Sequence, residues 1–266
     1  MLLEGASFQT HLNYIKCLES LFTDVRLNVV LVDGHTIQKT EIKRFTKLDS
    51  LTSKSIEVDM ALAQKDHAFA VIAAPWFGVK CYYSIYYFEA VLVHLVDGSQ
   101  SGFTKGGHRA VRKKIAQLLS SGNLTFSKTE LNSVYPLLSI SNFPSITSGT
   151  NTRSRYWMDP ECVQSITKKL MEYILHDAKV GNKWNLHRRK DQIAKTDFIR
   201  VGKLTLTDFF YWYRIKANYR DLDYIDFEKG ITEDAVFEYM KAYNSAYTSY
   251  HRLLSQKING LLKTSN

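Results

Sequence analysis

The chain has 266 residues, of which 45% are hydrophobic and 13% aromatic, so it can fold around a sizeable core and disorder is not expected. Its 35 lysines and arginines outnumber 26 acidic residues, for a formal net charge of +9. This excess favours a polyanionic partner such as a nucleic acid, and the length suits one large domain.

The cysteine pattern and the start of the chain favour a reducing cytoplasm. Cys17, Cys81 and Cys162 are far apart, and their spacing matches neither a disulfide framework nor a zinc site. The opening stretch, MLLEGASFQTH, contains an acidic side chain at Glu4 and lacks the apolar core of a signal peptide. We therefore expect a cytoplasmic protein.

Three elements are predicted in the first part of the chain. Residues 6–22 place apolar side chains at spacings of three and four, which is typical of an amphipathic helix. The β-branched segment VRLNVVLV, residues 25–32, predicts a short strand that ends in an Asp-Gly turn. Residues 52–73 then predict a helix, and Pro75 suits the first turn of the next one.

The segment from Pro75 to about Val96 is predicted to be the central helix of a bundle, because apolar residues surround most of its circumference. Lys80 and Glu89 interrupt it, so no membrane span is expected. A Gly/Ser-rich loop, residues 98–107, then opens a third helix, HRAVRKKIAQLLSSG. The basic side chains of that helix are expected to point largely outward: Arg109, Arg112, Lys113 and Lys114.

Residues 123–204 differ in character from the segments on either side. Three of the four prolines of the chain fall here, and the stretch ISNFPSITSGTNTRSR predicts an irregular loop. A helix is predicted from Pro160 to about Ala178, with Asp159 as its cap, and the polar, basic stretch GNKWNLHRRKDQIAK follows it. We interpret the segment as an insertion between bundle helices.

The last predicted element is a long helix that begins after Thr232. The hydroxyl of Thr232 can cap it, and Glu233 and Asp234 favour the positive end of the helix dipole. A stripe at spacings of three and four then predicts packing along the whole length of the helix. The stripe consists of Val236, Met240, Tyr243, Tyr247, Tyr250, Leu254, Ile258 and Leu261.

Two parts of the sequence carry a resemblance to a known family. KCYYSIYYFEAVLVHL, residues 80–95, is followed by the basic stretch GGHRAVRKKI, and RIKANYRDLDYID is followed by ITEDAVFEYMKAYNSAYTSY. The first pair resembles the tyrosine-rich second helix of HEPN-superfamily domains and the basic helix after it. The second pair is similar to the later HEPN helices. The resemblance covers residues 51–122 and 205–263, and it implies an all-α helical bundle.

The resemblance also implies a chemistry. Many HEPN proteins are metal-independent ribonucleases in which an Arg, followed within a few residues by a His, acts at a dimer interface. Arg214 matches the Arg and would stabilise phosphate charge. No His follows Arg214 at that spacing, so proton transfer would need either an activated Tyr219 or a His from elsewhere in the chain. His108 and His187 are the candidates for that His, with His108 preferred. Asn218 and Tyr219 would position the ribose.

Carboxylates near Arg214 leave a structural alternative open. Asp208, Asp221 or Asp223 could pair with Arg214 in an ion pair that only stabilises the fold. Asp221, Asp223 and Asp226 lack the Gly and the distal Glu of a calcium-binding loop. We therefore expect no metal and no other cofactor.

Basic clusters with aromatic neighbours suit a nucleic acid, because Lys and Arg hold phosphates while aromatic rings stack on unpaired bases. A solvated surface is the alternative. The predicted nucleic-acid contacts are Arg109, Arg112, Lys113, Lys183, Arg188, Arg189, Lys190, Lys216 and Arg220.

The sequence thus predicts an all-α, HEPN-like bundle with an inserted, partly irregular basic segment (123–204), an N-terminal extension (1–50) and a short N-terminal strand. The leading function is RNA targeting, as a metal-independent ribonuclease of a bacterial toxin or antiviral defence system. The alternative is a non-catalytic protein that binds RNA, a nucleotide or a protein partner. Expected partners are RNA, a second copy of the chain, and an antitoxin or defence protein. An unrelated helical DNA-binding protein is a third possibility.

Overall fold

The computed structural model describes residues 15, 25–104, 107–127, 179–180, 182–201, 208, 210, 211, 214 and 231–264. This part of the chain is mostly helical, which confirms the expected all-α class. The helices that have bounds in it are α1 (Lys39–Lys65), α2 (His67–Asp97), α3 (Gly107–Ser121), α4 (Arg189–Val201) and α5 (Glu233–Thr264). A short 3₁₀ turn, Ser101–Phe103, and two strands, β1 (Arg26–Val29) and β2 (Leu124–Ser127), complete these elements.

The junction between α1 and α2 lies at Asp66, and the prediction that Pro75 begins a helix is wrong. Asp66 has an extended backbone, with φ −144° and ψ 105°, and its side chain accepts a hydrogen bond from the Ala68 amide at 3.0 Å. An aspartate cap therefore starts α2 eight residues before the expected place. Pro75 lies inside α2, where the burial of Ala74 and Phe77 offsets the hydrogen bond that proline cannot donate.

Helix α1 also begins earlier than predicted. It runs from Lys39, whereas the sequence pattern indicated a start near residue 52. Its inward face is carried by Ile42, Phe45 and Ile56, all of which are buried. The boundary expected between an N-terminal extension and the core, at residues 50 and 51, consequently falls inside this helix.

Helix α2 is the centre of the fold and packs between α1 and α5, as its apolar circumference predicted. Tyr82, Ile85 and Leu92 are each less than 2% exposed. By length and composition α2 could also cross a membrane, but more than half of its most apolar stretch is buried in the protein, as in the core helix of a soluble protein.

The predicted packing of α5 is confirmed. The amide of Ala235 donates to the Thr232 hydroxyl at 3.2 Å, so Thr232 caps the helix as expected. The stripe from Val236 to Ile258 is buried against α2, and Leu261 at its end is partly buried. Its tyrosines supply both apolar area and buried hydroxyl groups.

The two strands form a small antiparallel sheet in which Leu27 lies opposite Phe126 and Val29 opposite Leu124. Strand β1 confirms the predicted N-terminal strand. Strand β2 was not predicted, because four residues flanked by polar sequence give too weak a signal without their partner strand.

Two further predicted helices lie wholly or largely outside the described residues, and one observed helix was not predicted. The polar stretch after residue 180 contains α4, which was not predicted as a helix. The helix expected at 160–178 lies outside the described residues. Of the helix expected at 6–22, Ile15 alone is described, and it is helical and fully buried.

Two glycines with positive φ allow the cost of a left-handed backbone to be separated from the cost of a steric clash. Gly98 ends α2 with φ 74°, and a Cβ there would lie 2.5 Å from the Cβ of His35. Gly34 has φ 86° and open space around it. We expect Gly34→Ala to lower the free energy of unfolding by about 1–2 kcal/mol from the left-handed backbone alone. Gly98→Ala should cost at least about 1 kcal/mol more, because it adds a clash. Urea denaturation measures both, and equal losses would contradict the close contact with His35.

Candidate anion site at the tyrosine face of helix α2

Tyrosines on one face of α2 pack against His108, at the start of α3. The hydroxyl of Tyr86 donates to the carbonyl of Gly102 at 2.6 Å, which ties α2 to the loop before α3. Gly107 permits this approach, since a Cβ there would lie 2.7 Å from the Tyr86 hydroxyl oxygen. The imidazole of His108 consequently packs on Tyr86, with ring centroids 3.9 Å apart, and contacts Tyr82 and Tyr83 at 5.5 and 5.3 Å.

Arg214 enters the same group of rings. Its guanidinium carbon lies 5.0 Å from the ring centroid of Tyr82, 5.8 Å from that of Tyr83 and 5.2 Å from that of Tyr211. These are cation–π distances. Nη1 donates to the Tyr83 hydroxyl at 3.4 Å, which is a long hydrogen bond.

The charge of Arg214 has no carboxylate partner in the part of the chain that the structure describes. The residue is only 9% exposed, and its buried Nε has no hydrogen-bond partner among the described residues. Asp208, which could have formed an ion pair with it, binds Arg112 instead, and Asp221 and Asp223 lie outside the described residues. A buried guanidinium without an anion is costly, so an anion bound to Arg214 would be stabilised.

Arg112, unlike Arg214, has a carboxylate partner among the described residues. Its Nε donates to a carboxylate oxygen of Asp208 at 2.7 Å, and its guanidinium lies 3.8 Å from the ring centroid of Tyr211. The Asp208 carboxylate raises the pKa of Arg112 against the effect of burial. The outward orientation expected for Arg112 is therefore wrong: an acidic partner too distant in the sequence to be recognised holds it inward.

His108 is held in its neutral form. Burial, and after it the positive charge of Arg214, lower the pKa of His108 to about 4. Its Nδ1 lies 2.8 Å from the Tyr82 hydroxyl oxygen. Burial, and next the nearby Glu89, raise the pKa of Tyr82 well above its ordinary value, so the phenol keeps its proton.

A buried carboxyl group lies beneath the site. Glu89 is 1% exposed and accepts a hydrogen bond from the Tyr250 hydroxyl at 3.0 Å. Burial raises its pKa to about 8, with a further increase from Asp208, against the lowering effects of the Tyr250 hydrogen bond and Arg112. Near neutral pH Glu89 is therefore mostly uncharged, and it does not neutralise either arginine.

The structure brings together three of the residues singled out in the sequence: Arg214, His108 and Arg112. Asn218, Tyr219, Lys216 and Arg220 lie outside the described residues, so their roles stay predictions. Six further basic residues predicted to contact nucleic acid are exposed, as such contacts require. These are Arg109, Lys113, Lys183, Arg188, Arg189 and Lys190. His187, the other histidine considered for proton transfer, is also exposed.

Sequence reasoning missed the individual roles of Tyr82, Tyr83, Tyr211 and Asp208. The spacing of Tyr82, Tyr83 and Tyr86 does place three rings on adjoining positions of α2, which was a usable signal. The pairing of Asp208 with Arg112 had no local signal. Among the described residues, no group of three or more His, Cys, Asp or Glu side chains is placed to hold a metal ion.

Comparison with known proteins identifies no relative. No protein-family model matches the chain, nor does any curated protein or solved structure. The resemblance to HEPN domains therefore stays a prediction, and the chemistry of the site has to be inferred from its own contacts.

The two arginines should respond differently to the same substitution. Arg112→Met removes the cation from a buried carboxylate, Asp208, and should lower the free energy of unfolding by about 3–5 kcal/mol. Arg214→Met removes a buried charge that has no carboxylate in the described chain, so it should cost less than about 1 kcal/mol or raise stability. Chemical denaturation compares the variants, and similar large losses would show that Arg214 is a structural residue.

Glu89 should make stability depend on pH. Its pKa is about 8 in the folded protein and near the ordinary value of 4.5 in the unfolded chain, so unfolding releases a proton between these values. Its contribution is complete below about pH 4.5, declines as the pH rises, and is lost above about pH 8, with a total on the order of 5 kcal/mol.

Glu89→Gln tests this pH dependence, because the amide oxygen can still accept the Tyr250 hydroxyl proton. Urea denaturation between pH 5 and 8 should show a flatter profile for the variant than for the wild type. Parallel profiles would contradict a protonated Glu89.

Proposed function

We propose that this chain targets RNA by binding its phosphate backbone, and that Arg214 is the central phosphate contact. The observation that carries the proposal is a buried guanidinium with a free Nε and no carboxylate partner among the described residues. A phosphate group would supply the missing negative charge and accept hydrogen bonds from the planar Arg fork.

RNA is the proposed source of the phosphate for four reasons. The chain has a net charge of +9, which suits a polyanion. Arg109 and Lys113 are exposed on α3, the helix that carries His108, and can contact neighbouring phosphates. Tyr83, which accepts the hydrogen bond of Arg214, is half-buried and can offer part of its ring to a base. The resemblance to HEPN domains points to the same substrate.

A metal-independent ribonuclease is the second candidate, and the position of His108 favours it. His108 lies beside Arg214, is half-buried, and is neutral at physiological pH. A neutral imidazole could take the proton of a ribose 2′-hydroxyl while Arg214 stabilises the phosphate. In this form of the proposal the protein is a cytoplasmic, homodimeric toxin or defence effector, and a protein antitoxin is a further partner.

Binding is tested with a labelled single-stranded RNA and fluorescence anisotropy across a series of salt concentrations. Arg214→Gln should weaken binding about tenfold and reduce the slope of log K against log salt by about 0.7, the value for one lost phosphate contact. Arg252→Gln is the matched control, because Arg252 is exposed on α5 and loses the same charge. We expect it to change the affinity less than threefold. Equal losses would mean that Arg214 acts only through net charge.

Cleavage is tested separately, by incubating total RNA with the wild type and Arg214→Gln in the presence and in the absence of EDTA. Products from the wild type alone would support the ribonuclease. RNA binding without products would support the binding protein. Products that disappear only on chelation would contradict the metal-independent chemistry.

A further inference from the structure

We infer that Tyr82 is a positioning residue, which fixes His108 as a neutral donor through Nε2–H, so that His108 and Arg214 contact one phosphate group together. The inference rests on the proposed function for the identity of the anion. It gives His108 a role different from that of a general base, and it therefore separates the two candidate functions.

The first step is the direction of the hydrogen bond between Tyr82 and His108. The phenol of Tyr82 is 1% exposed, and Nδ1 of His108 is its hydrogen-bond partner in the described chain. If Nδ1 carried the proton and donated it, the buried phenolic hydrogen would have no acceptor among those residues. A buried, unsatisfied donor is costly, so the favoured arrangement has Tyr82 donating and Nδ1 accepting.

The second step is the state of the other imidazole nitrogen. A neutral imidazole carries one proton, and with Nδ1 as acceptor that proton is on Nε2. Nε2 makes no hydrogen bond to any residue that the structure describes, and His108 is only half-buried. In this tautomer Nε2 is a donor, and it has no lone pair with which to accept the 2′-hydroxyl proton.

The third step is the environment of the pair. The groups that face His108 are the rings of Tyr82, Tyr83 and Tyr86 from α2 and the cation of Arg214. A protonated His108 would be repelled by Arg214, whereas a neutral N–H donor is not. One cation and one neutral donor beside it suit a phosphodiester, which has a single negative charge and several acceptor oxygens.

The tautomer can be read directly from nitrogen NMR of protein labelled with ¹⁵N-histidine. In the wild type, His108 should show a proton-bearing Nε2 and an unprotonated Nδ1 from pH 5.5 to 7. Tyr82→Phe removes the donor and should shift the signals toward a mixture of both tautomers. Tyr87→Phe is the control, since it removes a hydroxyl from the next turn of α2, whereas the hydroxyl bonded to Nδ1 of His108 is that of Tyr82. An unprotonated Nε2 in the wild type would overturn the inference, even where Tyr82→Phe fails to fold.

Ligand binding completes the test, with the dinucleoside monophosphate UpU as the probe because its diester charge does not titrate in this range. Its Kd should change less than twofold between pH 5.5 and 7, where Glu89 keeps its proton. Tyr82→Phe should raise the Kd about fivefold, the loss expected for one misplaced hydrogen bond. UpU should also shift the Nε2–H signal of the wild type. An affinity that rises steeply below pH 6.5 would show a titrating His108 and overturn the inference.

The two proposals fail in different ways. In the first case, Nε2 carries the proton, but UpU shifts no His108 signal and binds Arg214→Gln as tightly as the wild type. The proposed phosphate site is then wrong, whereas the proposed tautomer of His108 is confirmed. If UpU depends on Arg214 but Nε2 is unprotonated, the phosphate site stands and the donor role of His108 is wrong.

Discussion

Two guanidinium groups share the ring of Tyr211 inside the protein, and the described residues provide a carboxylate to one of them. Arg112 lies 3.8 Å from the ring centroid and is neutralised by Asp208, while Arg214 lies 5.2 Å from it and is surrounded by tyrosines. Aromatic faces stabilise a cation only in part. The positive charge of Arg214 therefore adds to the effect of burial in keeping His108 neutral.

The fold supplies the rigidity that this electrostatic arrangement needs. Helix α2 is buried between α1 and α5, so its tyrosines cannot move away from the cation without opening the core. Close backbone contact fixes the other side of the site. Gly102 of the 3₁₀ turn lies between Ala90 of α2 and Val111 of α3, and a Cβ there would lie 2.7 Å from the side chains of both. The turn is therefore packed closely between the two helices just before His108.

Sequence patterns predicted those parts of the structure whose signals are local. The stripe of α5 and its cap at Thr232 are periodic and adjacent features, and the structure confirms them. The start of α2 was misplaced because proline is a strong local signal, whereas the cap at Asp66 depends on one side-chain hydrogen bond. Strand β2 was missed because its stability comes from its partner β1.

The candidate site shows the same division between local and long-range information. Arg214 and His108 could each be singled out from neighbouring residues, but their proximity results from the packing of α2 with two segments distant in sequence. The pairing of Arg112 with Asp208 is also long-range, and it decides which of the two arginines Asp208 neutralises. No pattern within one helix contains that information.

Under the proposed function, this site suits phosphate binding better than proton transfer. A general base near neutral pH needs a free lone pair and a pKa close to the working pH. Here burial and the charge of Arg214 hold the pKa of His108 at about 4, and the Tyr82 hydroxyl occupies its Nδ1. A phosphate bound at Arg214 would offset the charge of the guanidinium, but it would also accept a hydrogen bond from Nε2–H of His108. With one fixed cation and one neutral donor, the attraction of the site for an anion is governed by ionic strength more than by the titration of His108.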